Sequence, residues 1–391
     1  MTRSHQRVVV PMTLLLFAAT AGRAALAAPC DSAYVRVHHK IVMVLPSGGD
    51  DTANLQCAID QATARGRGAI VQLFPGTYQT QQLLITALRG TLRGAGRRQT
   101  VLRNPDFPLP IDNASPWEVG PPAPTNRYPV MLSVIGGDVT ISDLSLSIVG
   151  SRPSQDWYWL GFGPLNFIDP ALFVYGSHTV VRAERIGISG ASACFPQPDT
   201  NLLVAVSFWN YESSTMPWVS SSELSVIDSV LQACATAVVA SQLIDSPVTV
   251  SRNTIITRRV GVLVDALIRS RVEVSHNDFA QSRDPADGAA GVIVGPSDFG
   301  DGVIDATFLI RNNRFGGTSG VVLQENFVTP EGGDPIFFGD INCAMFGNNV
   351  DHTTTGYLLQ AGTRDCTIVV HGGDTVVDET NGAHTIIRRG R

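Results

Sequence analysis

The sequence predicts an all-β protein, a parallel β-helix in which short strands coil into a solenoid behind one N-terminal helix. Three observations favour this fold. Charged residues make up only 16% of the chain, below the ~25% of an average globular protein. A strand-and-turn pattern recurs from Val139 onward, and clear helical periodicity is confined to one segment near the N-terminus.

The first 27 residues have the pattern of a secretory signal peptide. Arg3 and Arg7 provide a positive start, and an apolar stretch follows up to Gly22. Ala25-Leu26-Ala27 is a small-x-small cleavage site. A membrane anchor is the alternative, but the apolar stretch is too short to span a bilayer. We therefore expect residues 28–391 to be secreted, as an extracellular or periplasmic protein.

The charge balance argues against nucleic acid as a general partner. The net charge is −6, Lys40 is the only lysine, and no stretch of sequence forms a basic stripe that could neutralise phosphates. No segment after the signal peptide approaches the ~18 uninterrupted apolar residues of a membrane helix, so we expect no membrane span. The repeat pattern leaves the oligomeric state unspecified.

The six cysteines predict disulfide bonds. An even number in an exported chain is typical of disulfides, and no CxxC motif or Cys/His cluster indicates a zinc site. Cys343 and Cys366 are 23 residues apart, about one coil of the repeat, so we expect them side by side on adjacent coils. Buried free thiols are the alternative. The remaining expected pairs are Cys194 with Cys234 and Cys30 with Cys57.

One helix is predicted at about residues 52–64. Apolar residues recur at helical spacing from Leu55 to Ala62. Asp50 and Asp51 could cap the N-terminus, and Gly66 is expected to end the helix. In a repeat fold this helix would close the open bottom of the solenoid.

The repeat is clearest in strands that end at an asparagine, with the form apolar-x-apolar-x-x-Asn-x-apolar. The copies run over Val248–Ile255, Val272–Phe279 and Phe308–Phe315, with a weaker one at Ala344–Asn349. In stacked coils such amides can hydrogen-bond as a ladder, so we interpret them as structural. The asparagines of the four copies are Asn253, Asn277, Asn313 and Asn349.

A second kind of strand, often led by glycine, recurs between these copies. A coil would then contain a glycine-led strand, a middle strand that ends at the asparagine, and a short third strand, stacked ~4.8 Å above the previous coil. A β-sandwich or propeller is the rival fold, but the Asp-Gly pairs lie inside loops rather than at each turn. The glycine-led copies begin at Ala171, Asn201, Ala237, Gly261, Gly291, Gly320 and Gly356.

The N-terminal block resembles the opening of pectate-lyase-like β-helix proteins. The resemblance rests on the segments Pro46–Asp60, Val71–Tyr78 and Leu92–Gly96, and it covers about sixty residues. It implies a right-handed coil, with residues 28–391 as one domain, and in many relatives action on polysaccharides, often uronic-acid polymers. Other relatives are epimerases, phage depolymerases and non-enzymatic adhesins.

The catalytic signatures of the named enzymes do not carry over with the fold. The Gly-His-Gly and Arg-x-Lys motifs of polygalacturonases are absent. Arg152-Pro153 is a poor match to the Arg-x-Pro-x-x-Arg segment of pectate lyases, and Pro335–Gly339 only partly matches a pectin methylesterase motif. The resemblance therefore implies a fold without assigning an activity.

Long loops beside the glycine-led strands are the expected walls of a ligand cleft. The two longest cover residues 104–129 and 151–170, and they are rich in large aromatic residues. Aromatic rings can stack on the apolar faces of sugars, or they can simply pack the loops onto the coil. The aromatic residues we predict to bind substrate are Trp157, Tyr158, Trp159, Tyr175 and Trp209.

Carboxylates near the ends of the glycine-led strands are the candidate catalytic groups. The position after each apolar triplet should align Tyr175 and Asp265 with Gly295, Gln324 and Gln360. Asp298 would then lie about one coil from Asp265, and Glu325 one coil further, at ~5 and ~10 Å. Such groups could act as acid and base in glycoside hydrolysis or hold calcium beside a uronate, or they could be ordinary surface carboxylates.

Three turn arginines precede two of these strands. Arg258, Arg259 and Arg283 could bind a substrate carboxylate or act near the departing proton of a β-elimination, or they could be solvated turn residues. Calcium is the only cofactor that the sequence suggests. Two functions follow: a polysaccharide lyase, hydrolase or epimerase, and a non-catalytic glycan-binding or structural surface protein.

Overall fold

The computed structural model describes residues 30–104, 130–148, 170–190, 204–208, 219–284, 287–295, 303–324, 341–360, 363, 365–380 and 382–389, and the backbone of residues 153–154, 165–166, 327–328 and 336–337. Its α-helix in this part of the chain is Thr52–Ala64, as predicted. All other long elements of the described residues are β-strands.

The strands are short in most coils and join where two of them continue around a corner. In chain order they are Val35–His38, Ile41–Val44, Ala69–Leu73, Gly76–Gln79, Leu83–Thr86, Arg89–Arg93, Thr100–Arg103, Leu132–Ser142, Ser145–Ser147, Pro153–Ser154, Leu165–Asn166, Leu172–Glu184, Gly187–Ser189, Val204–Phe208, Val219–Ser220, Glu223–Ile227, Val230–Ala233, Thr236–Ile244, Val248–Ser251, Thr254–Thr257, Val260–Ile268, Arg271–Ser275, Asp278–Gln281, Ala290–Gly295, Ala306–Arg311, Arg314–Leu323, Phe327–Val328, Ile336–Phe337, Ile341–Phe346, Asn349–Leu359, Cys366–His371, Val376–Asp378 and Thr385–Arg389.

Most strands pair in parallel with the strand that occupies the same place in the next coil. The antiparallel pairs among the described strands are Val35–His38 with Ile41–Val44, Pro153–Ser154 with Leu165–Asn166, and Phe327–Val328 with Ile336–Phe337. The middle strands show the pattern, because Val248–Ser251 pairs with Arg271–Ser275, which pairs in turn with Ala306–Arg311. Three strand-bearing faces result. In one coil they are formed by Val260–Ile268, Arg271–Ser275 and Asp278–Gln281, and we name them the glycine-led sheet, the middle sheet and the third sheet, respectively. A coil visits them in that order, and the predicted right-handed parallel β-helix is confirmed.

The core is filled by side chains that alternate inward along each strand. In the middle sheet Val272 and Val274 are fully buried, and Phe308 and Ile310 lie over them in the next coil. The phenylalanine rings of Phe279 and Phe315 stack at 4.8 Å between centroids. These stacks explain why no coil is stable alone, since each buries its apolar face against its neighbours.

Two of the glycines that lead the strands make room for those rings. A Cβ at Gly261 would lie 2.4 Å from the ring of Phe279, and one at Gly291 would lie 2.1 Å from the ring of Phe315. Both distances are far below a van der Waals contact. The glycine at the start of these strands is therefore a packing requirement of the corner between the third and glycine-led sheets.

The N-terminal helix packs its apolar side on the first coils, with Leu55, Ala58, Ile59 and Ala62 buried. The predicted capping differs in detail. Asp50 accepts a hydrogen bond from the backbone N–H of Thr52 at 2.9 Å. Asp51 is fully buried and accepts instead from the backbone N–H of Ser47 at 2.8 Å, since its side chain faces the preceding turn. Gly66, at φ +73°, follows the helix end.

Two of the predicted disulfides are confirmed, Cys30–Cys57 and Cys343–Cys366, with Cα–Cα distances of 5.7 and 4.4 Å. The second pair occupies equivalent positions on adjacent middle strands, as the repeat predicts. Cys234 is disulfide-bonded. Its predicted partner, Cys194, lies outside the described residues.

A ladder of buried amides lines the corner between the middle and third sheets, which we name the amide corner. The backbone N–H of each residue donates to the side-chain oxygen one coil later, from Ser229 through Asn253, Asn277 and Asn313 to Asn348, at 2.9–3.0 Å. The predicted fourth member, Asn349, is wrong by one residue. Cys343 and Met345 face inward in that coil, which places Asn348 at the ladder position and leaves Asn349 exposed.

A second ladder, made of hydroxyls, lines the corner that leads into the middle sheet, which we name the hydroxyl corner. The backbone N–H of Thr179 donates to Ser222 Oγ at 3.0 Å, that of Ser222 to Ser246, and that of Ser246 to Ser270, both at 3.1 Å. Ala306 takes the next position and has no hydroxyl, so the hydroxyl ladder ends there.

One glycine-led copy is displaced from its predicted place. The sequence suggested a strand beginning at Asn201, but the strand is Val204–Phe208, and its Val206 lies beside Leu172 of the previous coil. All five residues of this strand are buried, including Ser207. The apolar run from residue 202 to residue 206 is continuous, so its periodicity alone could not fix the register.

Candidate functional site

The outer face of the glycine-led sheet carries two columns of side chains. Equivalent residues of adjacent coils lie ~4.8 Å apart, so each column runs along the solenoid axis. The edge column ends the strands and consists of Thr86, Ile135, Tyr175, Ser241, Asp265, Gly295, Gln324 and Gln360. The apolar column lies two residues earlier and consists of Leu84, Ser133, Phe173, Ser207, Val239, Leu263, Ile293, Val322, Leu358 and Val377, apolar apart from the two buried serines.

The edge column lies at the rim of the sheet because the chain turns sharply after it. In five coils the following residue has a left-handed backbone, which breaks the strand geometry. The predicted alignment of Tyr175 and Asp265 with Gly295, Gln324 and Gln360 is found in the structure. The five turn residues are Ala87, Gly136, Gly176, Gln242 and Ala266, with φ between +49 and +84°.

Asp265 is the one predicted catalytic residue that lies within the described residues. It is half-buried, and its Oδ1 accepts a hydrogen bond from the hydroxyl of Ser241, one coil earlier in the edge column. Ser241 is itself buried, at 1% exposure. The hydroxyl therefore orients the carboxylate and compensates part of its desolvation.

The next position of the edge column has no side chain, and a glutamine fills the space. A Cβ at Gly295 would lie 2.7 Å from both Cβ and Oε1 of Gln324, so the Gln324 side chain lies over Gly295, toward Asp265. Asp265 thus has a serine hydroxyl on one side and a glutamine amide beyond the glycine on the other. The amide of Gln324 can donate a hydrogen bond to a sugar hydroxyl or carboxylate, whereas the proton of Ser241 is already donated to Asp265.

Tyr175 lies in the same column, three coils before Asp265, or ~14 Å at the coil spacing. Its ring is half-buried and stacks on Phe173 with centroids 6.0 Å apart. The predicted binding residue and the predicted catalytic residue therefore share one face of the solenoid. Together they define a line along which an extended ligand could lie.

The apolar column makes this face unusual for a surface. Phe173 and Val322 are 2% and 8% exposed although their side chains point away from the core, while Val377 is 38% exposed. Leu263, next to Asp265, is half-buried. An apolar strip beside a polar rim suits the two sides of a sugar ring, its C–H face and its hydroxyl edge.

The three predicted arginines do not meet Asp265. Arg258 and Arg259 precede the strand Val260–Ile268, whereas Asp265 follows six residues later, so their Cα atoms lie ~20 Å apart on opposite edges of the sheet. Arg259 and Arg283 are exposed. The arginines therefore border the glycine-led sheet on the side of the third sheet.

Arg258 is also committed to a neighbouring carboxylate. Its Nε lies 2.9 Å from Asp287 Oδ1, and the Ser282 hydroxyl donates to the other oxygen. The guanidinium of Arg258, together with that hydroxyl, lowers the pKa of Asp287. A ligand carboxylate at Arg258 would have to compete with this ion pair.

Several predicted residues lie outside the part of the chain that the structure describes. They are the carboxylates Asp298 and Glu325, the aromatic residues Trp157, Tyr158, Trp159 and Trp209, and most of the loops at 104–129 and 151–170. In the sequence these loops stand between third and glycine-led strands. Their predicted roles stay predictions.

Sequence reasoning missed Ser241 and the placement of Gln324 over Gly295. Ser241 precedes Asp265 by 24 residues, one clean coil, so the spacing could have identified it. The Gln324 contact depends on a side-chain direction that no sequence spacing contains. Among the described residues, no group of three or more His, Cys, Asp or Glu side chains could hold a metal ion, and no helix is long and apolar enough to span a membrane.

Comparison with known proteins finds similarity in structure only. No protein-family model matches the sequence, and no curated protein matches it. The solved structures that match include a polygalacturonase from Erwinia carotovora ssp. carotovora, with 12% identity over 89% of this chain and 92% of that chain and a TM-score of 0.45.

Two further matches have other described roles. The A-module of a mannuronan C-5 epimerase from Azotobacter vinelandii is 15% identical over 88% of this chain and 96% of that chain, with a TM-score of 0.40. A surface adhesin of Streptococcus pneumoniae is 10% identical over 88% and 89%, with a TM-score of 0.45. In fold, as its own coil pairing shows, the chain is a parallel β-helix, which is the fold that its N-terminal block predicts.

Proposed function

We propose that the chain is a secreted carbohydrate-active protein that binds an extended polysaccharide along the outer face of the glycine-led sheet. The observation that carries the proposal is the edge column, a line of outward positions one coil apart in which six of the eight described members are polar or aromatic. A polysaccharide is also a linear repeat, so successive sugars can meet successive coils. The apolar column beside the line supports stacking on sugar rings.

Asp265 is the residue we propose for catalysis, as part of a lyase, hydrolase or epimerase. Its carboxylate is half-buried and oriented by Ser241, which suits a group that must exchange a proton with substrate. Glu325 directly follows Gln324 in the sequence, two coils from Asp265, and Asp298 follows Gly295 by three residues. These two carboxylates remain the proposed partners of Asp265, at one and two coil steps.

A binding protein without catalysis is the second candidate, and one observation favours it. Within the described residues, the column neighbours of Asp265 are a hydroxyl, a glycine and an amide rather than a second carboxylate. Glycoside hydrolysis usually needs two carboxyl groups. On this alternative the same face binds glycan and Asp265 only contributes hydrogen bonds.

Export is part of the proposal. Residues 1–27 would be removed as a signal peptide, and the protein would meet its polysaccharide outside the cytoplasm. The bonds Cys30–Cys57 and Cys343–Cys366 support this, since disulfides persist in oxidising compartments. N-terminal sequencing of the secreted protein should start at Ala28.

The test is incubation of the purified protein with a panel of neutral and acidic polysaccharides. Products that absorb in the ultraviolet would indicate a lyase, new reducing ends alone a hydrolase, and depletion without products a binding protein. Asp265→Asn should abolish turnover and keep binding. Tyr175→Ala should weaken binding by about 1 kcal/mol, roughly fivefold in Kd.

Asp278→Asn is the matched control, because Asp278 is an exposed carboxylate on the third sheet. It should change neither turnover nor binding. If Asp265→Asn leaves turnover unchanged, the catalytic proposal is wrong and the binding alternative stands. If no polysaccharide binds, or Tyr175→Ala leaves binding unchanged, the proposed face is wrong as well.

A further inference from the structure

A groove with an excess of positive charge lies on a different face, outside the middle sheet in the first coils. Its volume is about 550 Å³, within the range of ligand sites. Arg67, Arg89 and Arg182 line it together with His178 and Asp138. It begins just past the hydroxyl corner, three residues after Tyr175 in that coil, and no part of it belongs to the edge column.

One glycine of the lining, Gly68, leaves open space at its end of the groove. Gly68 lies one coil before Arg89, to which its backbone N–H donates a hydrogen bond at 2.7 Å. A Cβ at Gly68 would meet no atom within 4 Å, so the space above it is free. The groove crosses four stacked coils, or ~14 Å, from Gly68 to Arg182.

Two of the three guanidinium groups that line the groove have no carboxylate partner among the described residues to neutralise their charge. Arg182 is paired, with its Nη1 2.6 Å from Asp138 Oδ1 and its Nε 3.8 Å from Glu223. Arg67 and Arg89 are exposed, and neither has an ion-pair partner in the part of the chain that the structure describes. Asp138 is the one acidic residue among the described residues of the lining, and it is already bound to Arg182.

The surrounding coils strengthen the positive field. Residues 30–104 contain nine arginine and lysine residues and four aspartates, a net charge of +5, although the whole chain carries −6. Lys40, the only lysine, donates to the backbone oxygen of Arg67 at 2.7 Å. The local charge is therefore opposite in sign to the net charge, which directs anions to this end of the solenoid.

The chemistry of the lining favours a carboxylate-bearing ligand. Guanidinium groups bind carboxylates through two parallel hydrogen bonds, and the cations here are spread along the groove rather than gathered at one point. Among the described residues, no Phe, Tyr or Trp side chain lines the groove, so this lining offers no such ring for nucleic-acid bases to stack on. A linear polymer with one carboxylate on each of several sugars fits both features.

We propose that this groove binds an acidic polysaccharide, with Arg67 and Arg89 contacting its carboxylates while Arg182 stays paired with Asp138. The site is separate from the proposed catalytic face and requires no role for Asp265. It rests on the proposed function only for the class of polymer. Its consequence is that acidic chains would be held beside the glycine-led sheet at the end where the coils begin.

The test measures binding of an oligogalacturonate of about ten sugars by titration calorimetry, with the full mature protein in both wild-type and Asp265→Asn backgrounds. The second background prevents turnover of the probe at the other face. Arg89→Glu should weaken binding about tenfold or more, because it replaces an attraction with a repulsion. Arg67→Glu should act in the same direction, and 0.5 M salt should reduce wild-type binding, since the groups are exposed.

Arg98→Glu is the control, because Arg98 is exposed at the opposite corner of the same coil and has no ion-pair partner among the described residues. It makes the same charge change and should alter Kd less than twofold. Equal losses for Arg89→Glu and Arg98→Glu would refute the site, because only the net charge would then matter. Unchanged binding in Arg89→Glu, equal affinity for inorganic sulfate or a neutral oligosaccharide, or tighter binding of single-stranded DNA would also refute it. If Asp265→Asn abolishes turnover while Arg89→Glu leaves binding unchanged, only the groove proposal fails. If Arg89→Glu weakens binding while Asp265→Asn leaves turnover unchanged, only the catalytic proposal fails.

Discussion

The amide corner and the hydroxyl corner solve the same problem with different groups. At both corners the chain turns in two residues, the first exposed and left-handed, the second buried in a ladder. At the amide corner Asn277 both accepts and donates between coils, and its Nδ2 also donates to the carbonyl of Val250 at 2.8 Å. At the hydroxyl corner Ser246 accepts one bond between coils and returns its proton to Ile244 of its own coil.

The difference indicates where the solenoid tolerates change. An amide side chain connects three coils, whereas a hydroxyl connects two, so the amide corner is the more rigid seam. The long segments at 105–129 and 149–169 stand in sequence between third and glycine-led strands, away from both ladders. Insertions at those places leave every ladder bond intact, which is how a fixed scaffold can carry variable binding loops.

Asn277→Ala is expected to give the largest loss of stability. It removes the acceptor for the backbone N–H of Asn253, which is left buried without that partner, and it removes the amide's own bonds to Val250 and Asn313. An unsatisfied buried group costs about 1–3 kcal/mol and each lost hydrogen bond about 1 kcal/mol, so we expect about 4 kcal/mol in all. A urea unfolding curve measures it.

Asn349→Ala is the matched control, one residue beyond the amide ladder of its coil and exposed. It should change the unfolding free energy by less than about 0.5 kcal/mol. A large loss at Asn349 and a small one at Asn348 would contradict the assignment of Asn348 to the amide ladder.

Ser246→Ala is expected to cost less, about 1–2 kcal/mol, because a single backbone N–H, that of Ser222, loses its partner. We therefore expect Asn277→Ala to lower the free energy of unfolding at least twice as much as Ser246→Ala when both are measured in the same urea series. Equal losses would mean that the two corners are equivalent and that the extra amide bonds contribute nothing.

The exposed residues of the amide corner alternate in charge along the stack. Asp143 pairs with Arg185 at 2.7 Å and Asp228 with Arg252 at 2.7 Å, and the arginine hydrogen bonds lower the pKa of both aspartates. A lowered pKa means that the stabilisation is present above the usual aspartate range, near pH 4, and is lost as the pH falls through the lowered pKa.

Arg252→Glu should therefore destabilise the protein at neutral pH by up to about 1 kcal/mol, a typical value for an exposed pair. The effect should shrink in 1 M salt and at pH values where the aspartates are protonated. Arg252→Lys, which keeps the positive charge, should retain most of the stability at neutral pH. A loss in Arg252→Lys as large as in Arg252→Glu would show that the loss comes from packing of the arginine stem rather than from charge.

Ala306→Ser is expected to change the free energy of unfolding least. It would extend the hydroxyl ladder by one coil. A serine there could accept from the backbone N–H of Ser270, as Ser270 accepts from that of Ser246. We expect a gain of at most about 0.5 kcal/mol, since the new hydroxyl must also be buried. A loss above 1 kcal/mol would show that the corner has no room for the group.

The sequence predicted the architecture well because the repeat determines it. The helix at residues 52–64, the Cys343–Cys366 pair and the alignment of Asp265 with Gln324 all follow from spacing alone. The prediction was wrong at Asn201, where the following apolar run is continuous, and at Asn349, where two asparagines are adjacent. Such runs allow more than one register. The groove around Arg89 could not be predicted, because its residues come from four coils and share no motif.

The two disulfides of known partners have a consequence for how the solenoid comes apart. A stack whose coils contact only their neighbours melts inward from its ends, where each terminal coil lacks one neighbour. Cys30–Cys57 ties the first strand region to the capping helix, and Cys343–Cys366 joins two of the last coils. Both ends are thus crosslinked against fraying, and reduction should convert a cooperative loss of structure into progressive unzipping that starts at the termini.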